Sequence, residues 1–178
     1  MNLTDGRVTV RTPTADDAPA VADAVRSSVD TLLPWMPWAS DRYSEDDALE
    51  WINLLIDETA KPMLILDESN TMVGATGVNR LDSLNHRANL GYWLTSDASG
   101  RGYATAAARL AIRFALEELG LHRLDIMMSV ENEPSRRVAE RLGATHEGVL
   151  RHRLWCADER HHDAHVFSVI VGDRLTAP

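Results

Sequence analysis

One segment of this 178-residue chain constrains the fold more than any other, because two strand-like runs enclose a glycine turn and a long helix-like run. Ala88 to Thr95 predicts a strand. Tyr103 to Leu119 is rich in alanine, leucine and arginine, and it predicts a helix that ends at Gly120. His122 to Val130 then predicts a buried strand. This strand, turn, helix and strand indicate an α/β protein with the unit at its centre.

The flanking residues predict further strands and helices on both sides of this unit. Thr14 with Asp17, and Ser44 with Asp47, have the spacing of capping boxes that begin helices. In chain order, the other predicted elements are a strand at Arg7–Arg11, a helix to about Val29, an aromatic loop with two prolines at Leu32–Trp38, a helix to roughly Glu58, strands at Met63–Asp67 and Met72–Asn79, a helix at Glu133–Leu142, and strands near Thr145–Trp155 and His161–Val171. We therefore expect a single domain over residues 1–178 with a mixed sheet.

Composition excludes several classes of protein. The net charge of −9 would repel phosphate backbones, which argues against a nucleic-acid partner. The single cysteine, Cys156, excludes an internal disulfide. No apolar run approaches about 18 residues, and the N-terminus lacks the basic and apolar regions of a signal peptide. A cytoplasmic protein without a membrane partner is the expectation.

The glycine turn is the first candidate site. Gly100 and Gly102 flank Arg101 where a strand gives way to a helix, so backbone N–H groups can converge there beside the positive end of the helix dipole. Such a turn can bind a phosphate or pyrophosphate. The third glycine and downstream acid of a Rossmann fingerprint are missing, and no Gly-Lys-Ser/Thr of a phosphate-binding Walker loop follows.

Several motifs together extend this interpretation. The chain contains Gly100-Arg101-Gly102-Tyr103-Ala104-Thr105, Asn132-Glu133-Pro134-Ser135, Arg141-Leu142-Gly143-Ala144, Glu147-Gly148-Val149-Leu150-Arg151 and Leu33-Pro34-Trp35-Met36-Pro37-Trp38. In this order and spacing the set resembles the GNAT superfamily, and more narrowly its RimJ/RimL-like ribosomal-protein N-acetyltransferases. The resemblance implies the GNAT fold, a central and mostly antiparallel sheet that splays at the cofactor site and is flanked by helices.

The same resemblance implies where coenzyme A would bind. The pyrophosphate loop falls on Ser99, Gly100, Arg101, Gly102, Tyr103, Ala104 and Thr105. Ser99 stands where the family usually has Gln or Arg, and Arg101 is the candidate to compensate. Trp93, Leu94 and Thr95 match the strand that pairs with the pantetheine arm, and Asn132 matches the asparagine that binds it. Ser135 matches the residue near the sulfur and is the candidate acid for the departing thiolate.

The proton acceptor is left open by the same comparison. Asn89 occupies the position, three residues before the Tyr-Trp pair, where relatives often carry a catalytic glutamate, and an amide cannot accept a proton. Asp82, His86, Glu133 and Glu147 remain as candidates, with Glu147 inside a motif shared with the family. A water relay without a dedicated base is an equal alternative. On the acceptor side, Trp35, Trp38 and His86 are the candidate substrate-binding residues.

The function implied is transfer of an acetyl group from acetyl-CoA to a primary amine, by direct attack in a ternary complex. The amine is either a protein N-terminus, with a ribosomal protein as one candidate, or a small molecule such as an antibiotic or polyamine. An acyl-CoA-binding or sensing module with little catalysis is the alternative from another class. Relatives are often dimers, so a homodimer is also expected. The histidines His161, His162 and His165 predict a solvated stretch rather than a metal site.

Overall fold

The structure is a computed structural model that describes residues 1–54 and 60–176. The strands of these residues form one sheet. Within these residues the strand order is β1-β2-β3-β4-β5-β6-β8-β7. The strands are β1 (Asn2–Thr4), β2 (Thr9–Arg11), β3 (Ala60–Leu66), β4 (Met72–Asp82), β5 (Arg87–Leu94), β6 (Arg123–Ser129), β7 (Thr145–Trp155) and β8 (His161–Ile170). Neighbours are antiparallel except for β5 and β6, which run parallel.

Helices cover both faces of this sheet. They are α1 (Ala18–Arg26), α2 (Val29–Leu32), α3 (Glu45–Asn53), α4 (Tyr103–Arg113) and α5 (Glu133–Leu142). The buried residues of α4 and α5 pack against one face of the sheet. The buried residues of α1 and α3 pack against the other face, around Leu64 and Leu66. In the described part of the chain, no helix combines the length and the apolar character needed to cross a membrane.

The local signals in the sequence place several helix ends correctly. Thr14 and Asp17 form a capping box at a 3-10 turn (Ala15–Asp17) that leads into α1, and Ser44 and Asp47 form another at α3. Gly143, with a φ of +81°, ends α5. These boundaries depend on contacts between residues close in sequence, which is why spacing alone predicts them.

Other boundaries differ from the expectation. The first helix ends at Arg26 rather than near Val29, where the short α2 begins. After Arg113 the α4 helix continues as π-helical turns from Phe114 to Glu118. The strand β1 was not predicted, because three residues with one apolar side chain leave no pattern to recognise. The predicted end of the second helix, near Glu58, lies outside the described residues.

The capping carboxylate of Asp17 gives a testable pH dependence. It accepts hydrogen bonds from the Arg11 guanidinium at 2.6 and 2.8 Å, and this pairing lowers the pKa of Asp17 to about 2. A carboxyl group with a depressed pKa stabilises the fold above its unfolded pKa of about 3.9, and that stability is lost as the pH falls through the folded value. We expect Asp17→Asn to lower the free energy of unfolding by about 1 kcal/mol at pH 7.

Chemical denaturation at several pH values measures this effect. The difference between wild type and Asp17→Asn should shrink as the pH falls from about 5 towards 2. The neighbouring Asp16 is exposed, so Asp16→Asn is the matched control and should change stability by less than about 0.5 kcal/mol. A deficit of Asp17→Asn that is the same at every pH would contradict the ion pair as its cause.

Candidate active site

The parallel strands β5 and β6 separate soon after they begin. Their pairing covers only Arg87–Asn89 with Arg123–Asp125. Beyond Asn89, the edge of β5 that faces β6 is therefore not paired with it. This divergence confirms the predicted splay of the sheet, and it opens a cleft along the second half of β5.

The hydrogen-bond register shows which backbone groups face that cleft. The Thr95 N–H donates to the Val73 carbonyl at 2.9 Å, so this pair is a bonded pair of the β4–β5 ladder. Bonded pairs alternate along antiparallel strands, so Trp93 also directs its backbone groups to β4. Tyr92 and Leu94 consequently direct theirs into the cleft. Of the predicted strand residues, Leu94 therefore offers its backbone to a ligand in the cleft, and Trp93 and Thr95 do not.

The glycine turn lies at the end of β5 and begins α4. Gly100 and Gly102 have φ angles of +76° and +82°, a region that residues with a Cβ rarely adopt. The first N–H groups of α4, on Tyr103, Ala104 and Thr105, have no acceptor within the helix, because helical bonding begins with the Ala106 N–H to the Gly102 carbonyl. The turn therefore leaves amides without a helical acceptor at the positive end of a helix dipole, where an anion can bind.

Contacts beneath the turn hold it in place. Tyr103 is 2% exposed, and its hydroxyl donates to Glu68 at 3.1 Å. Arg7, between β1 and β2, donates to the Arg101 carbonyl. The Arg101 guanidinium lies 4.9 Å from the centre of the Tyr103 ring. Tyr103 thus contributes to the candidate site through its backbone, while its side chain anchors the turn.

The start of α5 faces the same cleft. Asn132 caps the helix, since its Oδ1 accepts the Ser135 N–H at 3.1 Å, and its Nδ2 group is not used in that bond. The Ser135 hydroxyl lies 3.0 Å from the Tyr92 hydroxyl, and Tyr92 is also within 3.1 Å of the Ser135 carbonyl. The structure therefore brings β5 and α5 together across the cleft at these two hydroxyl groups.

Tyr92 was not among the predicted site residues. Burial raises its pKa to about 12, against a smaller opposing effect of the Ser135 hydrogen bond, so the phenol remains protonated at neutral pH. Strand alternation offers a signal for it. Trp93 packs with α1 and α3, so Tyr92 must face the other side, where α5 lies.

A cavity of about 640 Å³ lies on the face of β3, β4 and β5 that α1 and α3 cover, opposite to the face where α5 lies. Its lining contains the aromatic residues Trp38, Tyr43, Trp51, Tyr92 and Trp93, the amide of Asn79, and the carboxylates of Asp47 and Glu50. Tyr92 therefore borders both the cleft, through its hydroxyl, and the cavity, while its neighbour Trp93 lines the cavity alone. A ligand in the cleft and a second ligand in the cavity would meet at this part of β5.

The structure separates the three predicted substrate-binding residues. Trp38 lines the cavity, and its ring centre is 6.3 Å from that of Trp93. Trp35 is half-buried but does not belong to the lining. His86 lies in the turn between β4 and β5, beside His122, at the end of the sheet where β5 and β6 are still paired. Only Trp38 of this set adjoins the cavity.

Asn89 also lies where β5 and β6 are still paired. Its Nδ2 donates to Asn79 Oδ1 at 3.2 Å, which connects it to the cavity lining. In the parallel register it stands beside Asp125, a carboxylate that sequence reasoning missed. Ala88, Leu90 and Leu124 all belong to the core on the α4 side, so Asn89 and Asp125 share the opposite face. Only the pairing of two strands distant in sequence reveals this neighbour.

The three carboxylates among the predicted proton acceptors all have strong partners. Glu147 accepts from Ser168 at 2.6 Å and from Arg123 at 2.8 Å, and both bonds lower its pKa. Asp82 bonds Asn85 and Arg87, and Glu133 bonds Arg136 and Arg137, which lowers the pKa of each carboxyl to about 2. None of these carboxylates belongs to the cavity lining. Their role as a base stays a prediction.

The histidines of β8 differ from the expected solvated stretch in one respect. His162 is 8% exposed, with Nδ1 at 2.8 Å from the Ser129 hydroxyl and Nε2 at 3.0 Å from Asp158. The expectation of a solvated side chain was wrong for His162, because neighbouring residues of a strand point to opposite faces and His162 lies on the covered face, whereas His161 is exposed. Among residues 1–54 and 60–176, no cluster has three or more side chains that could hold a metal ion.

Comparison with known proteins agrees with this geometry. Residues 7–145 match the family described as the acetyltransferase (GNAT) domain. The chain is 32% identical over 168 residues to YdaF of Bacillus subtilis strain 168, a proposed ribosomal N-acetyltransferase, and the alignment covers 92% of this chain and 91% of YdaF. It is 28% identical over 138 residues to the ribosomal-protein-serine acetyltransferase of Escherichia coli K12, with 75% and 76% of the two chains covered.

A solved structure shows the same fold. The structure described as RimL, the ribosomal L7/L12 alpha-N-protein acetyltransferase in complex with coenzyme A, superposes with a TM-score of 0.88. The match covers 96% of this chain and 98% of that chain at 22% identity. The family match extends over most of the chain, from β2 into the start of β7. This chain therefore belongs to the GNAT family and is an N-acetyltransferase.

Proposed function

We propose that the protein transfers the acetyl group of acetyl-CoA to the α-amine of a protein N-terminus, by direct attack in a ternary complex. One observation carries this proposal. The cleft between β5 and β6 and the cavity beneath α3 meet at adjacent residues of β5, since Tyr92 contacts Ser135 in the cleft and Trp93 lines the cavity on the other face. Two substrates can therefore reach the same strand without competing for space.

The residues around the cleft fit coenzyme A. The amides from Gly100 to Thr105 would hold the pyrophosphate, since they lie at the positive end of α4 and the first of them in the helix have no helical acceptor. The Leu94 and Tyr92 backbone groups that face the cleft would pair with the pantetheine arm as an added strand does. The Asn132 Nδ2 amide would bind the same arm. Ser99 and Arg101 keep their predicted places in the pyrophosphate loop, with Arg101 as the candidate for the donor that Ser99 does not supply.

Acetyl-CoA supplies an activated acyl group, and the chain's own residues orient and polarise it. An N–H donor on β5 aimed at the carbonyl oxygen would stabilise negative charge as that oxygen develops it. On the opposite side of the cleft, Ser135 would donate its hydroxyl proton towards the departing sulfur. Tyr92 can donate in turn to Ser135, because the two hydroxyl oxygens lie 3.0 Å apart and the phenol stays protonated.

The amine side needs less from the protein. An α-amine has a pKa of about 7.7–8.0, so a large fraction is already the neutral nucleophile at cellular pH. The cavity would hold this amine near Trp93, with its proton passing to water. Glu147 stays a predicted base, and Asp125 beside Asn89 is a further carboxylate on the acceptor face of the sheet.

The relatives favour a protein acceptor. YdaF is named as a ribosomal N-acetyltransferase, and the Escherichia coli enzyme as a ribosomal-protein-serine acetyltransferase. A cavity of about 640 Å³ is large enough for the first residues of a peptide. A homodimer and a cytoplasmic location stay predictions.

A thiol-release assay with acetyl-CoA and matched peptides tests the proposal. One peptide has a free N-terminus and no lysine, a second has the same sequence with an acetylated N-terminus, and a third has a blocked N-terminus with one lysine. We expect turnover with the first peptide only, and a product heavier by one acetyl group. Equal turnover with the lysine peptide would contradict α-amine selectivity, and no turnover with any peptide would contradict the proposed acceptor class.

A further inference from the structure

We propose that the cavity selects an acceptor that carries a second positive charge besides the amine to be acetylated, and that Glu50 binds this charge. The inference rests on the proposed function, because it assumes that the cavity holds the acceptor. It goes further by assigning a chemical class to that acceptor. It also assigns a role to a residue on α3, far in sequence from the motifs around the cleft.

Aromatic rings line the path from β5 to α3. The Trp38 ring centre lies 6.3 Å from that of Trp93 on β5 and 5.7 Å from that of Tyr43. Trp51, on α3 itself, also belongs to the lining. Aromatic faces attract ammonium and guanidinium groups. A cation held against the faces of these rings would be favoured over an anion.

The charges in the lining have one sign. Asp47 and Glu50 are one helical turn apart on α3, and both line the cavity. The described part of the lining has no Lys, Arg or His. Residues 55–59, whose structure is not described, contain no basic residue in their sequence either. Burial raises the pKa of Tyr43 to about 12, and the charges of Asp47 and Glu50 add to this effect.

The two carboxylates differ in how they are used. Asp47 accepts the Ser44 backbone N–H and the Ser44 hydroxyl, each at 2.7 Å, to cap α3. Within residues 1–54 and 60–176, Glu50 makes no side-chain hydrogen bond or ion pair, and it is exposed at the rim of the cavity. Glu50 is therefore the carboxylate that can pair with a ligand without weakening the helix cap.

Glu50 does not suit the reacting amine itself. A nearby carboxylate favours the protonated form of an amine, and a protonated amine cannot attack a carbonyl carbon. The attack must occur at β5, whereas Glu50 lies at the α3 end of the row of rings. Glu50 therefore pairs with another cationic group on the same molecule. A basic side chain just after a peptide N-terminus and the second amine of a linear polyamine share this chemistry.

Matched acceptors test the proposal. Two peptides begin Ala-Arg and Ala-Gln and are otherwise identical. Two small acceptors are a linear triamine and a monoamine of the same length. We expect wild type to show a kcat/KM at least about fivefold higher for the Ala-Arg peptide, as an exposed ion pair helped by aromatic faces would give. A preference for the triamine in place of the peptide would identify a polyamine as the source of the same chemistry.

Two variants separate the role of Glu50 from that of general negative charge. Glu50→Gln should remove most of the preference, while Glu45→Gln should keep it, because Glu45 begins the same helix but does not line the cavity. The preference of wild type should also weaken in high salt. Equal kcat/KM for both peptides, or a preference that persists in Glu50→Gln, would overturn this inference while leaving the proposed function intact. The absence of turnover with every acceptor would instead show that the proposed function is wrong.

Discussion

Replacing Gly102 by alanine should weaken acetyl-CoA binding by at least about tenfold. Gly102 has a φ of +82° at the N-cap of α4, where a residue with a Cβ costs about 1–2 kcal/mol. A backbone that relaxes from this strain turns the following amides away from a common point. Charge-assisted hydrogen bonds to a phosphate contribute about 1.5–3 kcal/mol each, so the loss of one accounts for the expected change. Isothermal titration of each protein with acetyl-CoA measures it.

Gly120 provides the matched control for strain. It has a φ of +65°, and a Cβ placed there would have no atom within 4 Å. It lies roughly 25 Å from the turn if the intervening residues rise 1.5 Å each. Gly120→Ala should therefore lower stability by a similar amount and leave acetyl-CoA affinity unchanged. If both variants bound acetyl-CoA as wild type does, the turn would not be the pyrophosphate site.

Replacing Ser135 by alanine should lower kcat by about 10- to 100-fold and leave the KM for acetyl-CoA within about twofold, since proton donation in the transition state contributes about 10²–10⁴-fold in enzymes. Tyr92→Phe should lower kcat by about tenfold, because it removes the hydroxyl that bonds Ser135 at 3.0 Å. The double variant should be no slower than Ser135→Ala alone, since both hydroxyl groups act on the same proton. Steady-state thiol release with each variant tests these expectations.

The pH profile adds a second test of the same pair. Because the pKa of Tyr92 is raised to about 12, its deprotonation should cause no loss of kcat below about pH 11. Thermal unfolding of each variant checks that the fold is retained. Independent, additive effects of Ser135→Ala and Tyr92→Phe would show that the hydroxyl groups do not act as a relay, and an unchanged kcat in Ser135→Ala would remove Ser135 as the acid.

The parts of the fold that sequence predicted are those with local causes. The caps at Thr14 and Ser44 connect residues three apart, and Gly143 ends α5 through its own backbone angle. The central unit from Ala88 to Val130 was predicted for the same reason, since alternation, glycine turns and helix formers act within a few residues. For this unit the sequence predicted only a mixed sheet, and the parallel pairing of β5 with β6 came from the structure.

The parts that sequence missed depend on contacts across the sheet. Tyr92 and Ser135 are 43 positions apart, and no spacing rule connects them. Asp125 became a neighbour of Asn89 only through the register of two strands. Glu50 and Tyr43 had no motif to mark them, although both line the cavity. The prediction for the proposed cofactor side thus depends on a turn and a helix start, while the proposed acceptor side is assembled from α1, α3 and three strands.

A crystal structure of this protein with coenzyme A tests most directly where the two substrates bind. We expect the pyrophosphate at about 3 Å from the amides between Gly100 and Thr105. We expect the pantetheine arm along Leu94 and Tyr92 in the cleft, with the sulfur beside Ser135. Coenzyme A bound inside the cavity beneath α3, or away from the α4 N-terminus, would contradict the assignment of the two substrates to opposite faces of the sheet.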